Sequence, residues 1–431
     1  MKILIISEYI APKQTIGSVR WTKIAKYLKK NHGIDIDVLT TKNVEWDEDK
    51  LLINDMSNFS DYGVFNKDIV STALTKYFNQ KSQKGWIHNT LNVSISSQQK
   101  EDEYEQDTLK HRIRVFLQEF GMRATARKAF TKYKEMNKQY DVIISSYGPI
   151  WCHLVAHKIK NSNEKAYWLA DFRDIFAGNK YESRRDFERH RRFAGQFLNK
   201  ANIITKVAPD VDLYENNSQK VIVLPNGYDL EEAVGALPPE KFSFVYTGTM
   251  YEGETELIPI FQAISELVES SQLDKKDIVI EYAGRSSWLF NHQIQASSTN
   301  IAVIDHGSVP REQALELQQK SAILMQASSY DTKFKPLWTG KMFEYMMIKK
   351  PIIYALKTTE HSRIADEMHY IGGMVYESCY PDSIESIKKY IIEKYKQWKI
   401  TGDVSIEQDI QYVASFSYEH ISEEVWKIIN Q

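Results

Sequence analysis

Cysteine is almost absent from these 431 residues: Cys152 and Cys379 stand far apart, form no metal-ligand or redox pair by spacing, and read as buried thiols. Long apolar runs are missing too. None approaches the roughly eighteen residues that a spanning helix requires, and the opening MKILIISEYI carries no cleavage-site pattern. The chain therefore reads as cytoplasmic. Neither sign of charge is in excess, with 55 Lys and Arg against 57 Asp and Glu and a net charge of −2. Binding a phosphate backbone needs a clear cationic surplus, so the balance argues against nucleic acid as the main partner. No short-period repeat occurs, and no DxD-type or histidine-cluster metal site is evident. No metal or cofactor is expected, and protein cations would have to do a metal's work.

What is present is a repeated alternation of strand and helix. Lys2 to Ser7 is apolar and β-branched, as suits a parallel strand covered on both faces. The loop EYIAPKQTIG leads into the helical pattern SVRWTKIAKYLKK and then the strand IDIDVLT, which makes a βαβ unit. DVIISS, the helical IWCHLVAHKIKN, AYWLADF, NIITKVA and KVIVLP continue the rhythm. It restarts at FSFVYTG after a turn-rich segment, and runs through IVIEYAG, NIAVIDHG, AILMQAS and PIIYAL. The expectation is an α/β protein of two doubly wound, Rossmann-like domains facing across a cleft. Residues 1–235 would form the first and 236–405 the second, with 406–431 a C-terminal helix able to pack back on the first.

Residues from about 43 to 140 break the rhythm, being polar and irregular. Within them, 108–134 hold Lys110, Arg112, Arg114, Arg123, Arg127, Lys128, Lys132 and Lys134 against the single acid Glu119, with Phe116, Leu117, Phe120 and Phe130 interleaved. That composition suits an element resting on an anionic bilayer surface. It equally suits a solvated helix pair covering the sheet. Arg184, Arg185, Arg189, Arg191 and Arg192 form another basic cluster.

Ligands of open α/β sheets sit outside the carboxyl ends of the strands, so the loops after the strands are the candidates. In TGKMFEYMM, Gly340 opens a helix whose free first-turn amides suit a phosphate, Lys341 adds a cation, and Glu344 one turn on can accept from a ribose diol. An ordinary helix start has the same letters. Arg285 and Arg20 are further cations for a leaving diphosphate. In DFRD, buried charges must be paired, so at least one member belongs to an ion-pair network; Asp171 and Arg173 are expected to shape the acceptor side. His153 reads either as a sugar-hydroxyl partner or as a core histidine.

The order of ISEYIAP…GSVR, DFRD, VLPNGYD, YTG, HGSVPREQAL and GKMFEYMMIKKPIIY resembles glycosyltransferases of the GT-B fold, specifically the family-4-like group, over nearly all the chain except about 43–135. The resemblance implies that Gly17 lies against the donor's diphosphate or sugar, with Gly248 in the corresponding loop of the second domain. It implies that Gly340 and Lys341 meet the diphosphate, Glu344 the ribose, and His306 to Val309 the base, with Arg311 just beyond. His153, Asp171, Arg173 and Asp174 would line the acceptor side, the first three as the catalytic candidates. Relatives commonly carry a second glutamate two turns before the first, where this chain has Pro336, and cations in the loop that reads YTGTMYEGETE here. The implied activity is retaining transfer of a sugar from a nucleotide-sugar donor to a glycan or lipid-linked acceptor of a surface polysaccharide, at the inner face of the membrane. Two rivals stay open: a sugar-nucleotide epimerase or hydrolase on the same scaffold, and a non-catalytic binding subunit of an assembly complex.

Overall fold

The computed structural model describes residues 1–42, 48–59, 61–74, 76–77, 109–173, 188, 192, 195, 198–208, 221–232, 235–329, 338–380 and 382–430. The chain divides into two compact units, Met1–Pro225 with Ser422–Gln431, and Asn226–Ile421.

In the first unit the strands are β1 (Lys2–Ile6), β2 (Asp35–Thr41), β3 (Asp61–Phe65), β4 (Val142–Ser146), β5 (Tyr167–Phe172), β6 (Ile203–Lys206) and β7 (Val221–Val223). They form one parallel sheet in the order β3-β2-β1-β4-β5-β6-β7. Helices cover its central strands, so β1 and β4 are buried along nearly their whole length and contribute Leu4, Ile6 and Ile143 to a core completed by Trp151, Trp168 and Phe172. The helix Ile16–His32 starts at Thr15, whose side chain accepts from the Ser18 amide, and stops at Gly33 in the left-handed region. Residues 422–430 return to this helix: His32 stacks on Trp426 at 4.3 Å and meets Glu423 at 2.9 Å.

The second unit holds β8 (Phe242–Thr247), β9 (Ile278–Ala283), β10 (Ala302–Asp305), β11 (Ile323–Ser329), β12 (Ile352–Lys357) and β13 (Gly373–Glu377), again all parallel, in the order β10-β9-β8-β11-β12-β13. Both sheets therefore wind outward in opposite directions from an inner strand pair, β1/β4 and β8/β11. The crevice at such a reversal is where open α/β sheets take their ligands.

Where the sequence pattern is irregular, the structure places the helix Lys50–Asp55, β3 and helical residues 69–74, and the basic stretch 108–134 lies in one helix, Leu109–Met136, rather than a helix pair. β3 carries Gly63 in mid-strand, closely covered by Met136: a Cβ there would lie 3.1 Å from its sulfur. The helix Ser287–Ala296 between β9 and β10, and β13 with the helix Ser383–Thr401, also lack a counterpart in the sequence reading. The first of these follows from topology, since parallel neighbours need a crossover. Cys152 is buried as expected, while Cys379 is only partly so.

Candidate functional site

In the second unit the loops after β8, β9 and β10 are drawn together through backbone. Gly248 N–H donates to Ala283 O at 2.6 Å, and Gly284 N–H donates to Gly307 O at 2.7 Å. Gly248 has φ of +109°, and a Cβ there would lie 2.5 Å from Lys341 Cε. Both the backbone conformation and the lysine's approach thus demand glycine.

Lys341 is the second residue of the helix Gly340–Ile348, so its side chain crosses from the β11 side of the reversal to the end of β8. Its Nζ donates to the Tyr246 hydroxyl at 2.5 Å and stands 3.9 Å from the Tyr246 ring centre. Burial pushes its pKa down from 10.5 to about 7, with Glu344 opposing that shift. The amides of Gly340 and Lys341 donate to no acceptor among the described residues. A helix start, two open amides and an ammonium at the switch point make an anion site.

Glu344 follows one turn later. Its Oε1 accepts from Arg311 Nε at 3.2 Å and its Oε2 from Gln318 Nε2 at 3.3 Å. Arg311 is also bound to Glu232 at 2.8 Å, and Gln318 donates to Thr247 at 2.7 Å. The carboxylate is oriented by two donors while each oxygen keeps lone-pair capacity for a diol. His306 donates its backbone N–H to Tyr282 O at 2.8 Å, and its ring meets Glu281 at 2.8 Å. Val309 is half-buried in the same loop, and Arg285 is exposed beyond β9.

The first unit departs from expectation. Asp171, at the end of β5, is fully buried and accepts from Arg20 at 2.8 and 3.2 Å, Trp21 at 2.7 Å, Thr205 at 2.8 Å and Ser146 at 3.2 Å. Burial opposes its ionisation, but the Arg20 charge and these bonds together hold it below the usual carboxylate range. Arg20 also donates to the carbonyls of Leu224 and Pro225, at 2.8 and 2.6 Å. This pair is closed. Asp171, expected on the acceptor side, and Arg20, expected at a leaving diphosphate, are thus bonded to each other beneath the loops.

His153 lies in the core, one of the two places its sequence context allowed. It is 1% exposed, its Nδ1 meets Ser145 Oγ at 2.7 Å, its ring lies 4.7 Å from Phe172, and burial lowers its pKa to about 3. A neutral imidazole in the core does not serve as an acid. A Cβ at Gly17 would lie 2.0 Å from a nitrogen of the flexible Arg173 guanidinium, which covers the glycine here. The guanidinium donates to Tyr147 O at 3.0 Å and Gly148 O at 3.1 Å, and stands 4.5 Å from the Tyr9 ring centre. Arg173 thus stays at the sheet's carboxyl edge, partly buried. Asp174, Pro336 and Arg184, Arg185, Arg189 and Arg191 lie outside the described residues.

Tyr246, Gln318 and Glu232 were missed by the sequence reading; only alternation along FSFVYT hinted that Tyr246 faces a layer of helices.

The sequence matches no protein-family model and no curated protein. Solved structures match over the full length. One is described as trehalose-6-phosphate from E. coli bound with UDP-2-fluoro glucose, with a TM-score of 0.61, 12% identity, and coverage of 100% of this chain and 99% of that one. A trehalose-6-phosphate synthase, OtsA, matches at 0.59 and 11%, with the same coverage. S. aureus TarM, in complex with Fondaparinux, alpha-GlcNAc-glycerol and UDP, matches at 0.55 and 11%, covering 100% of both chains. The chain has the GT-B fold. That fold's two Rossmann-like domains correspond to the two sheets described above, and the expected fold class stands. At these identities the likeness carries fold alone.

Proposed function

We propose that this protein is a glycosyltransferase that moves a sugar from a nucleotide-sugar donor to a glycan or lipid-linked acceptor in surface polysaccharide synthesis, with retention of configuration. The observation that carries the reading is Lys341 laid over Gly248 at the reversal of the second sheet, with two open amides beside it and the Arg311-held Glu344 one turn on. This geometry offers a cation and N–H donors to a diphosphate, and a carboxylate to a ribose. Gly248, Gly340, Lys341 and Glu344 are the donor residues, with Arg285 a further cation for the diphosphate and His306 and Val309 around the base.

UDP is bound in the TarM structure and a UDP-sugar analogue in the E. coli one, and retention is the course named for a trehalose-6-phosphate synthase of TM-score 0.60. In the proposed step the bond from the sugar's anomeric carbon to the diphosphate breaks. The acceptor oxygen bonds to the same face of that carbon, and its proton passes to the leaving phosphate oxygen. Lys341 and the amides stabilise the charge that develops there. No protein base is required, in keeping with the closed Asp171 and the neutral His153.

A seat on an anionic membrane is part of the proposal. No helix among the described residues is long and apolar enough to cross a bilayer. The helix Leu109–Met136 nonetheless exposes Ile113, Phe116 (67% exposed) and Phe120 in line with the exposed Arg123 and Arg127. Ser71, which donates to Gly121 O, fastens residues 69–74 across this helix, and they add Ile69 (82% exposed) and Val70. Apolar side chains within a basic stripe suit a lipid interface.

The test is incubation with a panel of nucleotide sugars, with and without candidate acceptors. Acceptor-dependent release of nucleoside diphosphate is expected. Epimerised or hydrolysed donor without transfer would move the reading to an epimerase or hydrolase, and absence of nucleotide binding by calorimetry would move it to a non-catalytic subunit.

A further inference from the structure

A second buried polar cluster lies at the carboxyl ends of β1, β2 and β3. Glu8, Lys13 and Lys67 are 3%, 7% and 6% exposed. Glu8 accepts from Trp151 Nε1 and Thr41 Oγ1, each at 2.7 Å. Lys13 Nζ lies within hydrogen-bond distance of Glu8 O at 2.5 Å, Thr40 Oγ1 at 3.3 Å and Thr41 Oγ1 at 3.4 Å, an acceptor for each of its N–H groups. Lys67 differs. Its Nζ approaches only Glu8 Oε1, at 3.6 Å, which is beyond hydrogen-bond distance. Among the described residues none of its N–H donors meets an acceptor.

Two ammonium groups thus share one carboxylate among the described residues, and the ion pair of Lys67 with Glu8 leaves its N–H donors available to a further anion. Burial lowers the Lys13 pKa, and Lys67 adds to that lowering while Glu8 opposes it. The cluster stands at the edge of the sheet where ligands of this fold class sit.

We infer that Lys67, with Lys13 beside it, is a subsite for an anionic group, a phosphate or carboxylate, on the acceptor. Only the word acceptor rests on the glycosyltransferase reading; the anion site stands on the cluster itself. Glu8, held by Trp151 and Thr41, fixes the cations and excludes a second carboxylate from its own place, so the ligand's anion must arrive on the far side of Lys67. Arg173 at the Tyr9 ring adds positive charge to the same edge.

The experiment is calorimetric titration of the full chain at low ionic strength with inorganic phosphate, with acetate, and separately with UDP. Phosphate should bind the wild type, and Lys67→Gln should weaken it about tenfold or more, the scale of a charge-assisted hydrogen bond. Lys67→Arg should restore it, and the Lys67-dependent part of the binding should persist in Lys341→Gln, which removes the other anion site. Acetate binding of the same strength would assign a carboxylate rather than a phosphate. Phosphate affinity unchanged in Lys67→Gln, or abolished in Lys341→Gln, overturns the subsite. Without added anion, Lys67→Gln should melt no lower than wild type, because it removes the excess buried cation. A lower melting temperature, or failure to fold, would make Lys67 the structural counter-ion of Glu8 and overturn the inference. UDP should bind Lys67→Gln as it binds wild type. If UDP binds neither while phosphate still depends on Lys67, the donor reading fails and the anion site remains.

Discussion

Lys341 is placed to meet a diphosphate, yet burial pushes its pKa from 10.5 down to about 7. Above that pH most of the ligand-free protein holds a neutral amine against Tyr246. A diphosphate favours the ammonium and raises the pKa again, so binding must take up a proton. Observed affinity should then fall by about tenfold per pH unit above about 7, or roughly 1.4 kcal/mol per unit, until the pKa of the complex is reached. Stability of the free protein runs the other way. The folded pKa lies below the unfolded one, so between about 7 and 10.5 the unfolded chain binds more protons. Stability therefore rises with pH across that window and is lost as pH falls through it. Calorimetry with UDP between about pH 7 and pH 9 avoids the phosphate's own titration near pH 6. Buffers of different ionisation enthalpy would read the proton uptake directly. Lys341→Met should bind weakly and without slope. A flat wild-type profile across this range, or a slope that survives in Lys341→Met, would refute the reasoning.

Asp171→Asn leaves Arg20 buried without its counter-charge, and should cost about 3–5 kcal/mol in chemical denaturation. Full stability with lost transfer would return Asp171 to the chemistry. Glu344→Ala should weaken UDP by roughly 1–3 kcal/mol by calorimetry, the value of hydrogen bonds to a charged group; unchanged affinity would remove the ribose assignment. Wild-type protein should float with phosphatidylserine liposomes, and Phe116→Ser with Phe120→Ser should abolish flotation, since each buried Phe contributes about 1.5–3 kcal/mol. Equal flotation of the two proteins would move the contact elsewhere.

Much of the fold is written locally. The runs KILII, VIISS, FSFVYT and IVIEYA need only apolar, β-branched residues to declare buried parallel strands, and Gly340 before an apolar helix marks a start that could be read from letters alone. β3 could not be read so, because DYGVF becomes a strand only when its glycine is covered by Met136, seventy-three residues further on. The charges show the same division. DFRD requires that something be paired, but Arg20, the partner of Asp171, is 151 residues away in sequence. His153 and Ser145, and Glu8 with Lys13 and Lys67, become clusters only once the strand order brings their loops to one edge. Local pattern thus announces where ligands sit; it does not say which polar residues at that edge are already closed on each other.

That distinction decides which sheet suits the nucleotide. Both have the same strand order, so topology alone offers a crevice at β1/β4 and another at β8/β11. A diphosphate needs backbone amides at close range and cations whose donors are not already taken. Around β1/β4 the approach at Gly17 is occupied by the Arg173 guanidinium, and the nearby Arg20 is bound to Asp171 and to two carbonyls. Around β8/β11 the corresponding glycine faces a lysine whose only hydrogen bond among the described residues is to a phenol, an exchange that a phosphate oxygen readily wins. The helix amides beside that lysine meet no acceptor among the described residues, whereas at β1 to β3 the donors of Lys13 are taken by a carbonyl and two threonines and Lys67 stands alone at the Glu8 carboxylate. The donor's diphosphate is thus better matched to the second sheet. The first is left with the smaller task of gripping a single anionic group.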